Sequence, residues 1–320
     1  MTSTSPSLPS SSRAGAAITA APAWKVWAAL GVVYVVWGST YLAIRVMVET
    51  VPPLLGAGVR FAVAGGVMLA VLAFSRSVRP TRAQLLSALL IGLLLPGANA
   101  VITVAEQEVP SSVAALLVAS IPLWVIIIRR IAGESVSRAG IAAVLVGFAG
   151  VALLVRPGEQ SGEATLLGLG ACVFGAVMWA SGSFASPRIR LPSDPLLSTG
   201  WQMLLGGLVI TLAGLAAGEA PQVEIDTFST RSLVALAYLI VFGSLFAFTT
   251  YVWLLQNAPI SRVATYAYVN PVVAIILGML ILDEVVTPVM FVGAAIIVFS
   301  VALVIRIENA RRPEPAEPPH

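Results

Sequence analysis

The strongest constraint on this chain is a series of ten apolar stretches, each close to 20 residues long. A helix that crosses the hydrocarbon core of a bilayer needs about 20 apolar residues, because its backbone groups must be bonded within the segment. Barrel strands are shorter and alternate strictly. We therefore predict an all-α integral membrane protein with ten transmembrane helices, at 26–48, 53–75, 83–105, 111–130, 137–155, 165–186, 197–218, 232–255, 260–282 and 288–306.

The composition excludes an ordinary soluble enzyme. The chain is 58% hydrophobic and only 10% charged, whereas soluble domains have about 25% charged residues. One Cys and one His leave no set of side chains for a zinc or iron cluster. P-loop, HExxH and GxSxG motifs are absent from the sequence. We expect no enzymatic activity, no metal and no cofactor.

The positive charges indicate the topology. If the N-terminus is cytoplasmic, 14 of the 18 Lys and Arg residues fall in cytoplasmic segments, and most acidic residues fall on the opposite side. Cytoplasmic loops carry such an excess of cations. We therefore predict a multi-pass protein of the cytoplasmic (inner) membrane with both termini cytoplasmic. The net charge of +3 is a topology signal and does not indicate nucleic acid as a partner.

An internal repeat divides the chain into halves. An offset of 149 residues aligns Pro110 with Pro259 and Pro122 with Pro271, and an offset of 142 aligns Trp37 with Trp179. Each half has five predicted helices, and an odd number inverts the second half in the membrane, as in many transporters. The predicted organisation is a disordered tail at 1–23, a first repeat at 24–157, a second repeat at 158–309 and a second tail at 310–320.

Two prolines occupy equivalent positions near the middle of the fourth and ninth helices. Pro122 and Pro271 each remove a backbone donor and bend the helix, which exposes the carbonyl groups near Val118 and Ala267. A neighbouring helix can satisfy such a kink, so packing is one explanation. The equivalent positions of the two prolines favour a second explanation, in which both belong to the wall of one shared cavity.

Aromatic side chains lie deep in three predicted helices. Trp37 and Tyr41 share one face of the first helix, Trp124 lies in the fourth, and Trp179 lies in the sixth with Ser183 one turn away. Core packing explains aromatic stripes in many proteins. Deep tryptophans from both halves also suit a cavity for amphipathic or aromatic solutes.

Polar residues occur on the same helices. Such groups are costly against lipid and should face the interior, either in a cavity or in hydrogen bonds between helices. The candidates are Ser39, Asn99, Ser120, Tyr266, Tyr268 and Asn270.

Three charged residues lie in or near the predicted spans. Arg60 lies inside the second helix, and Arg45 and Glu106 lie near the outer ends of the first and third. Arg45 could form a charge-paired gate, or its side chain could extend to the interface. Glu106 is the candidate proton carrier.

The sequence resembles the EamA family of the drug/metabolite transporter superfamily, and within it the YedA-like permeases. The resemblance covers residues 25–309 and rests on the segments 37–45, 59–61, 103–106, 109–115 and 266–274. It implies ten helices in inverted halves, and a central cavity lined mainly by helices 1, 3, 4, 6, 8 and 9. Its implied site residues are Trp37, Ser39, Tyr41, Asn99, Glu106, Trp179, Tyr266, Tyr268 and Asn270.

We therefore expect a secondary-active or facilitative transporter that exports small amphipathic metabolites, such as amino acids or drugs, by alternating access. A sugar or nucleotide-sugar carrier of the same fold is an alternative, and so are a lipid-handling membrane protein and a non-transporting sensor. The expected partners are a small-molecule substrate and the lipid bilayer. The sequence is compatible with a monomer and with a homodimer.

Overall fold

The computed structural model describes residues 22–154, 164–258, 260–263 and 265–310, and every regular element in these ranges is helical. A π-helical segment, Leu239–Phe246, joins α9 to α10. The α-helices are α1 (Ala23–Met47), α2 (Pro53–Ala73), α3 (Arg82–Ala105), α4 (Ser111–Val118), α5 (Ile121–Ile131), α6 (Arg138–Leu154), α7 (Leu166–Ala185), α8 (Pro195–Ala216), α9 (Thr230–Tyr238), α10 (Ala247–Asn257), α11 (Ile260–Val263), α12 (Tyr266–Ile281) and α13 (Pro288–Ala310).

In the described residues, eight helical segments are long and apolar enough to cross a membrane. Two of them contain two α-helices each, since α4 and α5 together form Ser111–Ile131, and α9, the π-helical segment and α10 form Thr230–Asn257. The helices α6 and α12 are apolar but shorter. The prediction of an all-α membrane protein is confirmed, and the count of ten spans stays a prediction.

The fourth predicted helix is interrupted. The helix α4 ends at Val118, and α5 begins at Ile121, with Ala119 and Ser120 between them. Pro122 is in the first turn of α5. Backbone N–H groups of a first turn have no partner within the helix, so the missing N–H of proline breaks no hydrogen bond there. The predicted bend in the span over 111–130 therefore takes the form of a break between two helices, which together are long enough to cross a membrane. Pro271, by contrast, lies inside α12.

One face of α2 consists of exposed apolar side chains. Val59, Val63, Val67 and Val71 follow at a spacing of four residues, so they line one side of the helix. A soluble protein rarely exposes such a continuous stripe. We assign this face to lipid.

The opposite face of α2 packs closely against α8. A Cβ atom built on Gly65 would lie 2.4 Å from the backbone nitrogen of Leu204, and one on Gly207 would lie 2.3 Å from that of Ala62. Only glycine permits two helix backbones to approach so closely, as in other membrane helix pairs. The pair α2 and α8 therefore forms a rigid contact between the two halves.

The largest apolar core lies among α4, α5, α6, α7 and α13. It contains fully buried side chains such as Leu117, Leu123, Leu169 and Ile297. A second interface between α6 and α13 brings Ser300 within hydrogen-bonding distance of the Ala143 carbonyl oxygen, at 2.5 Å. These contacts hold the last helix of each half against the other.

The loops form two groups at opposite ends of the helices. At one end Glu134 pairs with both Arg129, at 2.6 Å, and Arg188. At the other end Arg231 lies 3.6 Å from Glu49. The predicted topology places these same loops on opposite sides of the membrane. Which group faces the cytoplasm stays a prediction.

Several predictions concern positions outside the described residues. Nearly all residues of the two predicted tails, 1–23 and 310–320, lie there, and so does the predicted boundary between the repeats at 157/158. Pro259, which the repeat pairs with Pro110, also lies outside them.

Candidate functional site: a central cavity

A cavity lies between the two halves, at the centre of the helix bundle. Its wall comes from α1, α2, α3, α4, α5, α7, α8, α10 and α12. Its volume, counted as the space open to the centres of water molecules, is about 130 Å³. One water needs roughly 10–15 Å³ on the same measure, so a small organic solute fits. The aromatic residues of the wall are Trp37, Tyr41, Phe61, Trp179, Phe248 and Tyr266, and the polar ones include Thr40, Arg60, Asn99, Thr199, Gln202 and Asn270.

The structure brings six of the eleven predicted substrate-binding residues to this wall. They are Trp37, Tyr41, Asn99, Trp179, Tyr266 and Asn270. The two predicted kinks, Pro122 and Pro271, also line the cavity, together with Val118 and Ala267. One proline from α5 and one from α12 therefore line the same space.

Two predicted residues of the fourth span lie away from the cavity wall. The Ser120 hydroxyl is buried, donates to the Leu117 carbonyl oxygen at 2.5 Å and accepts from the Trp124 indole N–H at 3.2 Å. The Trp124 ring packs edge-on against Phe148, with centroids 4.6 Å apart. The Trp124 ring therefore belongs to the contact between α5 and α6, and both positions lie on the other side of the span from the cavity-lining Ala115, Val118, Ala119 and Pro122.

Three more predicted residues lie outside the wall. The Ser39 hydroxyl is buried and makes a 2.6 Å hydrogen bond to the Tyr238 hydroxyl. Tyr268 packs against the core of α4 to α7 and α13, and Ser183 is exposed near the end of α7. These side chains join helices or face outwards.

Trp37 is at the centre of an aromatic cluster. Its ring centroid lies 5.1 Å from that of Phe248, 5.0 Å from that of Tyr251 and 5.2 Å from that of Tyr266. Contacts with Phe248 and Tyr266 are edge-on, which is a preferred geometry for aromatic pairs. The cluster holds the indole in place as part of the cavity wall.

The π-helical segment supplies polar contacts to this wall. The Gly243 carbonyl oxygen accepts the indole N–H of Trp37 at 3.3 Å, and Ser244 accepts a hydrogen bond from Arg60. A π-helix bonds residues five apart instead of four, and such segments are frequent at functional sites. The segment therefore positions a tryptophan and a cation from the first half.

Arg60 is a buried cation of the cavity wall. Its exposed fraction is 3%, its Nε donates to the Ser244 hydroxyl at 3.0 Å, and its Nη1 donates to the Asn99 side-chain oxygen at 3.0 Å. The guanidinium carbon lies 4.7 Å from the centroid of the Phe61 ring. Neutral groups from two other helical segments thus fix the orientation of the charge.

Glu106 lies beyond the cavity, at the end of α3. It is fully buried, and both of its carboxyl oxygens are without a hydrogen-bond partner in the described residues. The neighbouring Arg45 donates instead to the backbone oxygens of Glu106 and Gln107, at 2.5 and 2.6 Å. A buried carboxyl group without donors is more stable as the neutral acid.

Several residues of the wall were not predicted. Thr199 and Gln202 lie three residues apart on α8, and Phe61 lies on α2. The helices α2 and α8 correspond to the second and seventh predicted spans, and neither span was among those expected to line the cavity. The spacing of the polar pair on one face of an apolar span is the signal that identifies it.

The family profile of the EamA-like transporter family matches residues 23–156 and 166–306. The uncharacterized inner membrane transporter YedA of Escherichia coli K12 is 38% identical over 282 residues, which are 87% of this chain and 90% of YedA. Protein PecM of Dickeya dadantii is 28% identical and covers 85% of this chain and 89% of its own.

A protein of solved crystal structure has the same fold. It superposes with a TM-score of 0.61 at 22% identity, over 90% of this chain and 99% of that one. The family and the names of these relatives indicate a membrane transporter and not an enzyme. The resemblance noted in the sequence is therefore confirmed, and the chain belongs to the EamA-like transporter family.

Proposed function

We propose that this protein exports small amphipathic metabolites, such as amino acids or drugs, by alternating access to the central cavity. It does so as a secondary-active or facilitative transporter. The observation that carries the proposal is the composition of the cavity wall, in which aromatic rings from both halves alternate with amide and hydroxyl groups. Such a wall binds an apolar body and orients a few polar groups.

The helix contacts support an inverted repeat. The second helices of the two halves pack together, as α2 and α8, and so do the fifth, as α6 and α13. The contact of α3 with α7 has its counterpart in the contact of α1 with α9 and α10. If the two halves are exchanged, each of these helix contacts is converted into itself or into another contact of the set. An exchange of conformation between two such halves opens the cavity to one side and then the other.

The membrane and the orientation follow from the charges. The loops that hold Arg76, Arg129 and Arg188 lie at one end of the bundle, with Asp194 and Glu134 as their ion-pair partners. An excess of cations marks the cytoplasmic side. We therefore place this end and both termini in the cytoplasm, and the protein in the inner membrane, where the name of its relative YedA places that protein.

Glu106 is the proposed proton carrier. Its carboxyl group is buried at the end of α3 without a hydrogen-bond donor, and Arg45 and Arg60 are its cationic neighbours. Movement of the surrounding helices that admits water allows the acid to release its proton. Arg45, which is bonded to the backbone at the end of α3, and Arg60 form the proposed gate around it.

A growth-inhibition panel tests the export proposal. Cells that overproduce the wild-type protein should tolerate a higher concentration of the exported compound than cells that overproduce Trp37→Ala. Trp24→Ala is the matched control, since Trp24 is on the same helix with an exposed fraction of 68%. Equal inhibition of all strains by every amino-acid analogue, nucleoside analogue and drug in the panel would contradict the proposal.

A further inference from the structure

We propose that Arg60 binds a carboxylate of the transported solute, so that the cavity selects organic anions and zwitterions with an apolar or aromatic body. This inference rests on the proposed function and names its substrate class. It concerns binding in the resting cavity, in which Glu106 is neutral, and is independent of the direction of transport.

The charge balance of the cavity is the first argument. Arg60 is the single charged residue that the described part of the chain contributes to the wall. No carboxylate of the described residues lies within ion-pairing distance of it, and its two side-chain hydrogen-bond partners, Asn99 and Ser244, are neutral. Burial of an unpaired cation is costly. An anionic solute in the cavity supplies the missing charge.

The surrounding charges leave this role to a solute. Glu106 is the nearest acidic neighbour, but it is buried without donors, which favours its neutral form. Arg45 is engaged by backbone oxygens at the end of α3. The charge of Arg60 is therefore not neutralised from within the protein.

The geometry of the guanidinium is the second argument. Two of its five N–H groups donate to Ser244 and Asn99, which come from different helical segments and fix the plane of the group. A guanidinium held in this way presents its remaining donors in a fork that matches a carboxylate. A single cation compensates one negative charge, which favours a carboxylate over a phosphate dianion.

The apolar part of the wall completes the site. Trp37, Phe248 and Tyr266 provide ring faces and edges in the same cavity. A solute with a carboxylate at Arg60 can place a phenyl or indole group against these rings. Neutral alcohols of the same shape gain the ring contacts and lose the charge interaction, and amines are repelled.

Three probes of equal shape separate these contributions. Isothermal titration calorimetry on the purified full-length protein in detergent would compare 3-phenylpropionate, 3-phenylpropan-1-ol and 3-phenylpropylamine, with titrations into protein-free micelles subtracted. We expect the carboxylate to bind at least about tenfold more tightly than the alcohol, and the amine to bind most weakly. Equal affinity for carboxylate and alcohol, or no binding of any of the three, would overturn the inference.

Two variants assign the preference to Arg60. Arg60→Gln should remove the preference for the carboxylate and leave the affinity for the alcohol unchanged, which also shows that the cavity is folded. Arg82→Gln is the matched control, because Arg82 is exposed at the start of α3. A carboxylate preference that survives in Arg60→Gln would contradict the assignment. If Arg60→Gln does not fold, the ranking of the probes on the wild type decides.

Transport measured beside binding separates this inference from the proposed function. If the protein in liposomes accelerates the passage of neutral solutes without preference for carboxylates, the inferred substrate class is refuted and the proposed transport function stands. If it accelerates the passage of no solute, the proposed transport function is refuted.

Discussion

The indole N–H of Trp37 donates a hydrogen bond to the Gly243 carbonyl oxygen at 3.3 Å, which joins α1 to the π-helical segment at the wall of the cavity. The same segment holds Arg60 through Ser244. A backbone carbonyl oxygen has two lone pairs, so Gly243 can accept the indole N–H beside a bond of its own helix. The irregular part of the Thr230–Asn257 span therefore positions two residues of the first half.

The close contact of α1 with α12 predicts the effect of a single methyl group. A Cβ atom on Gly38 would lie 2.6 Å from Cβ of Val273 and 3.1 Å from the Asn270 carbonyl oxygen. Gly38→Ala should lower the free energy of unfolding by about 1–3 kcal/mol, since the helices must separate. Denaturation in sodium dodecyl sulfate, followed by circular dichroism, measures the change.

Gly31→Ala on the same helix is the control. A Cβ atom there meets nothing within 4 Å, so its stability should equal or slightly exceed that of the wild type. Equal stability of Gly38→Ala and Gly31→Ala would contradict the close contact.

The Glu284 carboxylate links the second half to the start of α4. It accepts the backbone N–H groups of Ser111, at 2.7 Å, and Ser112, at 3.0 Å. A carboxylate at a helix N-terminus contributes about 0.5–2 kcal/mol, so Glu284→Gln should lower the stability by that amount. Glu224→Gln, at an exposed loop position, should leave it unchanged. An equal effect of the two variants in the same denaturation assay would exclude the cap.

Glu134 gives a dependence of stability on pH. Its hydrogen bond to Arg129, together with the contact to Arg188, holds the pKa of the Glu134 carboxyl below its ordinary value. Because the folded-state pKa is the lower one, the stabilisation is complete above the unfolded-state pKa of about 4.3 and is lost as the pH falls through the folded-state value.

The comparison of wild type with Glu134→Gln measures this dependence. The difference in their melting temperatures should be constant between about pH 7 and pH 5 and should shrink below about pH 4. The exposed pair is screened by ions, so added salt should reduce the difference at every pH. A difference that disappears already at pH 6 would contradict the ion pair.

The Glu106 proposal predicts how transport responds to a pH gradient. Glu106→Gln keeps the shape of the side chain and removes the exchangeable proton. It should abolish the dependence of uptake on the gradient and leave solute exchange at the wild-type rate. Glu108→Gln, at an exposed position two residues further on, is the control. Unchanged gradient dependence in Glu106→Gln would remove this residue as the carrier.

The sequence predicts the regular part of the fold well, because hydrophobic length is a direct consequence of the bilayer. Predicted starts such as 53, 83 and 111 lie within one residue of the observed helix starts Pro53, Arg82 and Ser111. The division of the loops into two groups at opposite ends of the helices follows from the order of the predicted spans along the chain.

The irregular features could not be predicted in this way. The π-helical segment Leu239–Phe246 is as apolar as its surroundings, and its extra residue per turn leaves no mark on hydropathy. In the fourth span, Ala115, Val118, Ala119 and Pro122 line the cavity at helical spacing, and Trp124 lies on the opposite side. The depth of an aromatic residue in a span does not indicate the direction that it faces.

Counterflow in proteoliposomes tests the central claim, which is that the cavity around Trp37 carries a solute across the membrane. Vesicles loaded with one unlabelled member of an amino-acid, nucleoside and drug panel should transiently accumulate the labelled form of the transported compound. Trp37→Ala should reduce the initial rate by about tenfold or more, and Trp24→Ala should match the wild type. Wild-type rates equal to those of protein-free liposomes for every compound would contradict the account.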